Sequence, residues 1–202
     1  MKILIIGATG TIGRAVADHL AARHEVLRAG HSSGDLRVDI NDAASIAALF
    51  ATVGQVDALI STAGRVHVGP FATMTDAQAR LGILDKLFGQ ISLTRLALPS
   101  ITDGGSVTLS SGLASRLYRP GFSVLSAVNA GLEAFGRSGA TDMPRGIRLN
   151  IVSPGAVRET MAAMPGGAAM LASAMPAAEV ALAYVRLVEG KETGAVVDAG
   201  QI

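Results

Sequence analysis

The sequence predicts an α/β fold, one parallel sheet with helices packed on both faces. Three observations carry that expectation. Short apolar runs alternate along the whole chain with amphipathic stretches of helical period. The connections between them are short and rich in Gly, Pro, Ser and Asp. The first apolar run, Ile3-Leu4-Ile5-Ile6, ends in a glycine turn that opens directly into a helical pattern. Such alternation specifies a single doubly wound, Rossmann-like sheet. Right-handed crossovers then bring every strand-to-helix loop to one edge of it, where a ligand is expected.

Composition narrows the partners. The 202 residues suit one domain spanning 1–202, and 50% hydrophobic against 16% charged residues describes a compact chain. Aromatics at 3% leave little to stack on bases, and a net charge of +1 without a basic run gives no electrostatic case for nucleic acid or membrane. With no cysteine, disulfides, thiolate metal sites and a cysteine nucleophile are excluded, and no metal site is expected. The apolar run after Met1-Lys2 is too short for a signal-peptide core and no segment approaches a membrane span, so a cytoplasmic protein is expected.

The elements follow in order. Gly7-Ala8-Thr9-Gly10-Thr11-Ile12-Gly13 reads as a nucleotide-binding turn: Gly7 reverses the chain, Gly10 admits a pyrophosphate, and Gly13 lets the next helix approach the strand. Ile12, Ala15, Val16, His19 and Leu20 have the spacing of a helix with one buried face. Glu25 to Ala29 is a second strand, with Gly30 to Gly34 the loop at its end. That loop has no acid before Asp35, whereas Arg28, His31, Ser32 and Ser33 are donors suited to a 2′-phosphate, which favours NADP over NAD. Leu36 to Ile40 reads as a third strand ending at Asp39 and Ile40, and a helix is expected from about Asp42 to Thr52.

Val56 to Ser61, continuing through Thr62-Ala63-Gly64, has the pattern of a strand buried on both faces. Thr75 and Gln78 have capping-box spacing for a long helix running towards Leu98, with a bend near Gly82 or Gly89. Gly105 to Ser111 is a strand, Ser123 to Thr141 a helix, and Ile147 to Ser153 a strand that stops at Pro154-Gly155. The stretch 157–176 is rich in Ala, Gly and Met and poorly patterned, so it is either a mobile lid or an under-patterned core helix. A helix over Ala177–Val188 and a strand over Ala195–Asp198 close the chain.

In this order and spacing the motifs resemble those of the short-chain dehydrogenase/reductase family over nearly all of the chain. Gly7 to Gly13 is similar to its cofactor turn, Asp39 to the position that contacts adenine, and Ser61-Thr62-Ala63-Gly64 to its Asn-Asn-Ala-Gly strand end. Arg148 to Gly155 is similar to its Arg-x-Asn-x-Val-x-Pro-Gly segment, and Thr193 to Gly200 to its closing strand. The resemblance implies an oxidoreductase using NADP on a small carbonyl or activated alkene, with Ile40, Ala63, Gly64, Pro154 and Gly155 joining the glycine turn around the cofactor. It also implies a homodimer or homotetramer packed through the fourth and fifth helices, where Ala127, Ala130, Gly131 and Ala134 leave room.

The family's catalytic residues transfer only in part. Ser111 matches the serine that orients the substrate carbonyl. Counting on from it, Val124 and Val128 fall where the family has Tyr-x-x-x-Lys, so the general acid is missing. A positioned general acid is worth about 10²–10⁴ in rate. The family's Asn-x-x-Gly on the fourth helix is here Lys86-Leu87-Phe88-Gly89, which places a lysine beside the vacated position. Lys86 is therefore the candidate to donate a proton or anchor the ribose, against the plainer role of a solvated surface lysine. Tyr118 could swing in as a surrogate acid and His67 could titrate near neutrality, each against a plainer surface role, while His19 and His24 read as structural or exposed. A protein that keeps the nucleotide but has lost turnover, a sensor or interaction partner, is the competing function.

Overall fold

The computed structural model describes residues 1–164 and 166–200. Seven parallel strands form one sheet in the order β3-β2-β1-β4-β5-β6-β7. They are β1 (Lys2–Ile6), β2 (Glu25–Gly30), β3 (Leu36–Arg37), β4 (Val56–Ser61), β5 (Ile101–Ser110), β6 (Arg148–Ser153) and β7 (Val196–Asp198). The order reverses between β1 and β4, and at such a switch point the strand exits diverge and leave a crevice.

Alternation along the strands divides the core in two. Ile3 and Ile5 of β1, with Ala58 and Ile60 of β4, pack against α1 (Thr11–Ala21) and α7 (Ala177–Glu189). Leu4, Ile6 and Leu59 face the other way, against α2 (Ala43–Val53), α4 (Gly89–Ala97) and α5 (Ser123–Gly139). Local signals were obeyed. Asp42 caps α2 through the amide of Ala44, and Thr75 with Gln78 forms a complete capping box on α3 (Asp76–Gly82).

Four expectations need correction. The third strand covers only Leu36–Arg37, because the amide of Asp39 turns to Ser45 Oγ at 2.9 Å instead of continuing the ladder. The long helix from Thr75 is not bent at one glycine. A π-helical turn, Ile83–Phe88, separates α3 from α4, and the N–H of Gly89 reaches back five residues to the carbonyl of Leu84. β5 begins at Ile101, and the fifth helix ends at Gly139 rather than Thr141. The stretch 157–176 is helical where described, as α6 (Arg158–Ala163) and a 3-10 segment over Gly167–Ser173; residue 165 lies outside the described residues. Its base is stapled by a parallel bridge between Val157 and Met175 and by Glu159, which accepts from the amide of Ala177 at 2.9 Å. Among the described residues no helix is long and apolar enough to cross a membrane.

Candidate active site

The glycine turn joins the exits of three strands. Gly7 has φ +81°, and a Cβ on Gly13 would overlap the carbonyl oxygen of Gly7, so both positions exclude a side chain. The N-cap of α1 is Gly10, which offers no capping side chain, so the first-turn amides of Thr11, Ile12 and Gly13 remain free to meet an anion. A cavity of about 520 Å³ lies beside them, lined by Thr9, Gly10, Thr11 and Arg14, by Asp18, which Arg28 neutralises, and by Glu159, which Ala177 engages through its amide. This cradle fits a pyrophosphate.

Thr9 packs its side chain against the loop after β2, where a Cβ on Gly30 would lie 3.1 Å from Thr9 Oγ1. His31, Ser32 and Ser33 are exposed on that loop, and His31 Nε2 lies 3.8 Å from Asp39 Oδ2. Arg28 does not join them, since its guanidinium pairs with Asp18 of α1 at 2.9 Å. Ile40 is buried, with its side chain under Gly89 of α4, so it supplies backbone rather than side chain to the edge.

The β4 exit is clamped from two sides. Thr62 Oγ1 donates to the carbonyls of Ile6 and Gly7, both at 3.2 Å, which locks it to the glycine turn. Buried Asp85 accepts from the backbone N–H of Arg65 at 2.6 Å and from its guanidinium at 2.8 and 3.0 Å. Gly64 has φ +127°, and a Cβ there would lie 2.7 Å from Lys86 Cγ, so only glycine lets the π turn approach Ala63 and Gly64 this closely.

That approach carries Lys86 into the crevice. Its ammonium donates to the backbone carbonyl of Ser111 at 3.0 Å and to Asn129 Oδ1 at 2.8 Å. Burial among neutral acceptors pushes its pKa down to about 8. Gln90, fully buried, braces the turn by donating to the carbonyls of Lys86 and Ser110 while accepting from the Ser110 amide. Ser111 Oγ donates to the Asn129 carbonyl at 2.9 Å and lies 3.4 Å from Glu133 Oε1.

The register on α5 differs by one residue from the count along the sequence. Val128 faces α3, where a Cβ on Gly82 would lie 3.2 Å from its Cγ2. The next residue, Asn129, faces Lys86, and Leu125 precedes it by one turn on the same side. Neither register carries a reactive pair, and no Tyr-x-x-x-Lys occurs anywhere in the chain. The residue types that the resemblance implies, asparagine on the fourth helix and lysine on the fifth, are both present with their places exchanged.

Asn129 and Glu133 escaped the sequence reading because only the helical face distinguishes them from their neighbours. Glu133 is 4% exposed and gathers Ser115 Oγ at 2.7 Å, Ser153 Oγ at 2.6 Å and Arg116 at 3.3 Å on a single oxygen. Arg116 continues to Asp198 at the end of β7. Pro154 and Gly155 close this corner, with the Pro154 carbonyl accepting from the Leu113 amide. Tyr118 is 80% exposed, whereas Tyr184 is buried on the opposite face of the sheet and bonded to Ser110 Oγ at 2.6 Å. Burial raises the Tyr184 pKa, leaving a structural hydroxyl.

The family whose description is Enoyl-(Acyl carrier protein) reductase matches this chain over residues 7–197. Oxidoreductase UcpA of Salmonella typhimurium is 29% identical over 185 residues, 79% of this chain and 70% of that protein. Protein lin1944 of Listeria innocua is similar in structure with a TM-score of 0.90, at 37% identity over 98% of both chains. A small-chain dehydrogenase in complex with NADPH gives a TM-score of 0.85 at 28% identity, covering 98% of this chain and 95% of the other.

Proposed function

The chain belongs to the short-chain dehydrogenase/reductase family, and on that premise we propose that it is an NADP-dependent oxidoreductase acting on a small carbonyl compound or activated alkene, with proton transfer rebuilt around Lys86. The observation that carries this reading is the Lys86 ammonium held between the Ser111 carbonyl and Asn129 Oδ1 at the β5 exit, beside the serine that the resemblance assigns to the substrate. The cofactor, when bound, supplies the hydride. Its 2′-phosphate is assigned to His31, Ser32 and Ser33, a loop with no acid before Asp35, and the NADPH in the related dehydrogenase supports the choice over NAD.

Lys86 then gives a proton from Nζ to the substrate oxygen as charge develops there. A pKa of about 8 leaves it mostly protonated near neutrality yet a willing donor, which is the range a general acid needs. Ser111 orients the same oxygen, and to donate to it the hydroxyl must turn away from the Asn129 carbonyl. Residues 157–164 and 166–176 are proposed to cover the substrate, with the base of this stretch held by Val157 and Met175.

We also propose a cytoplasmic homodimer or homotetramer. Exposed Ile83, Leu84 and Phe88 on the π turn support packing through this side of the molecule. The second reading, a nucleotide sensor without turnover, is favoured by the absence of Tyr-x-x-x-Lys.

Paired titration with NADPH and NADH, followed by single-turnover assays on a carbonyl and enone panel, separates the two. Tighter NADPH binding with hydride transfer to any substrate, lost in Lys86→Met, is the expected result. Tight binding with no transfer to any member of the panel would leave the sensor.

A further inference from the structure

Three donors sit on the Lys86 ammonium, and the structure fixes two of them. One goes to the main-chain carbonyl of Ser111, which any residue at that position would provide. The other goes to Asn129 Oδ1, the one side chain among the described residues that accepts from this nitrogen. We propose that Asn129 is a positioning residue, whose amide oxygen holds the Lys86 ammonium at the β5 exit and leaves the third N–H for the substrate oxygen. This rests on the reading of Lys86 as proton donor given above.

The amide is enclosed by the fold. Asn129 is 1% exposed, and its backbone carbonyl is occupied by Ser111 Oγ. Its amide nitrogen lies against Gly112, where a Cβ would come within 3.0 Å, so a side chain at that position would push the amide out of place. The orientation is also settled, because an ammonium at 2.8 Å demands the amide oxygen and not its NH₂.

Neutrality is the second part of the argument. Among the described residues, the carboxylates on the elements around Lys86 are engaged elsewhere. Asp85, adjacent in sequence, is bonded to Arg65 and Asn41. Glu133, one turn beyond Asn129, is held by Ser115, Ser153, Arg116 and Arg137. Asp39 on the β3 exit faces His31 and the amide of Asn41. On the β5 side the charged neighbour is Arg116, paired with Asp198. An amide therefore fixes the cation in place without the charge that would make it keep its proton.

Asn129→Asp preserves the shape and adds that charge, while Asn129→Leu removes the acceptor. The midpoint of Lys86 titration is read directly in the nucleotide-free protein, from the pH dependence of its acetylation by acetic anhydride followed by mass spectrometry. The alkaline limb of the kcat profile is read on the same proteins. In Asn129→Asp both are expected to rise together by about one pH unit or more. In Asn129→Leu kcat falls about a hundredfold with NADPH affinity retained, as displacement of a catalytic group requires.

An acetylation midpoint identical in wild type and Asn129→Asp would overturn the contact itself. A shifted midpoint with an unmoved kcat limb overturns the positioning role if Lys86→Met has lost turnover, and overturns the assignment of Lys86 as the acid if Lys86→Met turns over as wild type. Because Asn129→Asp is nearly isosteric, the test survives if Asn129→Leu does not fold.

Discussion

Lys86 and Glu133 sit on either side of Asn129, one positive and one negative, and the fold treats them in opposite ways. Glu133 is surrounded by partners: two serine hydroxyls within 2.7 Å, the guanidinium of Arg116 and, more distantly, that of Arg137. Burial alone would push its carboxyl up, but the bonds from Ser153 and Ser115 and the charges of Arg116 and Arg137 bring it below the usual carboxylate range. Lys86 receives only a carbonyl and an amide, and burial leaves it depressed. A charge that is fully compensated ties segments together, here the exits of β5, β6 and β7. One that is left under-compensated keeps a proton it can part with.

The sharpest way to break this contrast is to delete each charge. Glu133→Ala strands the hydroxyls of Ser115 and Ser153 while Arg116 keeps Asp198, and is expected to lose about 2–5 kcal/mol of stability in urea unfolding. For Lys86→Met the stability change stays within about 1 kcal/mol, since removing a desolvated cation offsets two lost hydrogen bonds. Its turnover falls about 10²–10⁴-fold instead. Equal destabilisation by the two variants would show that Lys86 is also a structural tie.

Titration separates the pair next. Lys86 has a folded pKa near 8 against 10.5 unfolded, so between those values the unfolded chain binds more protons and stability rises with pH. The penalty is fully present below pH 8 and amounts to on the order of 3 kcal/mol. Comparing wild type with Lys86→Met from pH 7.5 to 10.5 isolates it, and parallel curves would contradict the burial argument. Glu133 has the reverse sign: its contribution is present above the unfolded carboxylate pKa and is lost as pH falls through its lower folded value.

Smaller effects refine the picture. Arg116 is 43% exposed, so Arg116→Ala is expected to cost only about 1 kcal/mol, with Ser115 and Ser153 still holding Glu133. A loss as large as that of Glu133→Ala would move the centre of the cluster to Arg116. Tyr118→Phe, at a residue 80% exposed, should change kcat by less than about twofold. A tenfold loss there would give the proton a different source.

Much of this was legible in the chain. The alternation of apolar runs and helical patterns identified the β/α order, and Asp42, Thr75 and Gln78 marked helix starts that the structure keeps. The parts that escaped share a cause. Ile101 joins β5 by pairing with Val56, and the polar Thr102-Asp103-Gly104 stretch after it falls in a register shift that carries no strand pattern. The π turn over Ile83–Phe88 is invisible to a 3.6-residue period, because one extra residue in the turn rotates everything after it. The count from Ser111 to Val124 and Val128 slipped by one because the 3-10 turn and loop before α5 have no period to count by.

The sequence by itself determined the sheet, the glycine cradle at Gly7–Gly13 and the loss of Tyr-x-x-x-Lys, since each is a matter of residue type at local spacing. Tertiary structure alone decided that Lys86 meets Asn129 across 43 residues. That meeting depends on the rotation imposed by a π turn and on a glycine at 64 that lets it approach, and neither quantity is carried by hydrophobic pattern. The pattern records which face of a helix is buried. Which side chain of that face reaches a particular atom is set by how two helices seat on one strand end.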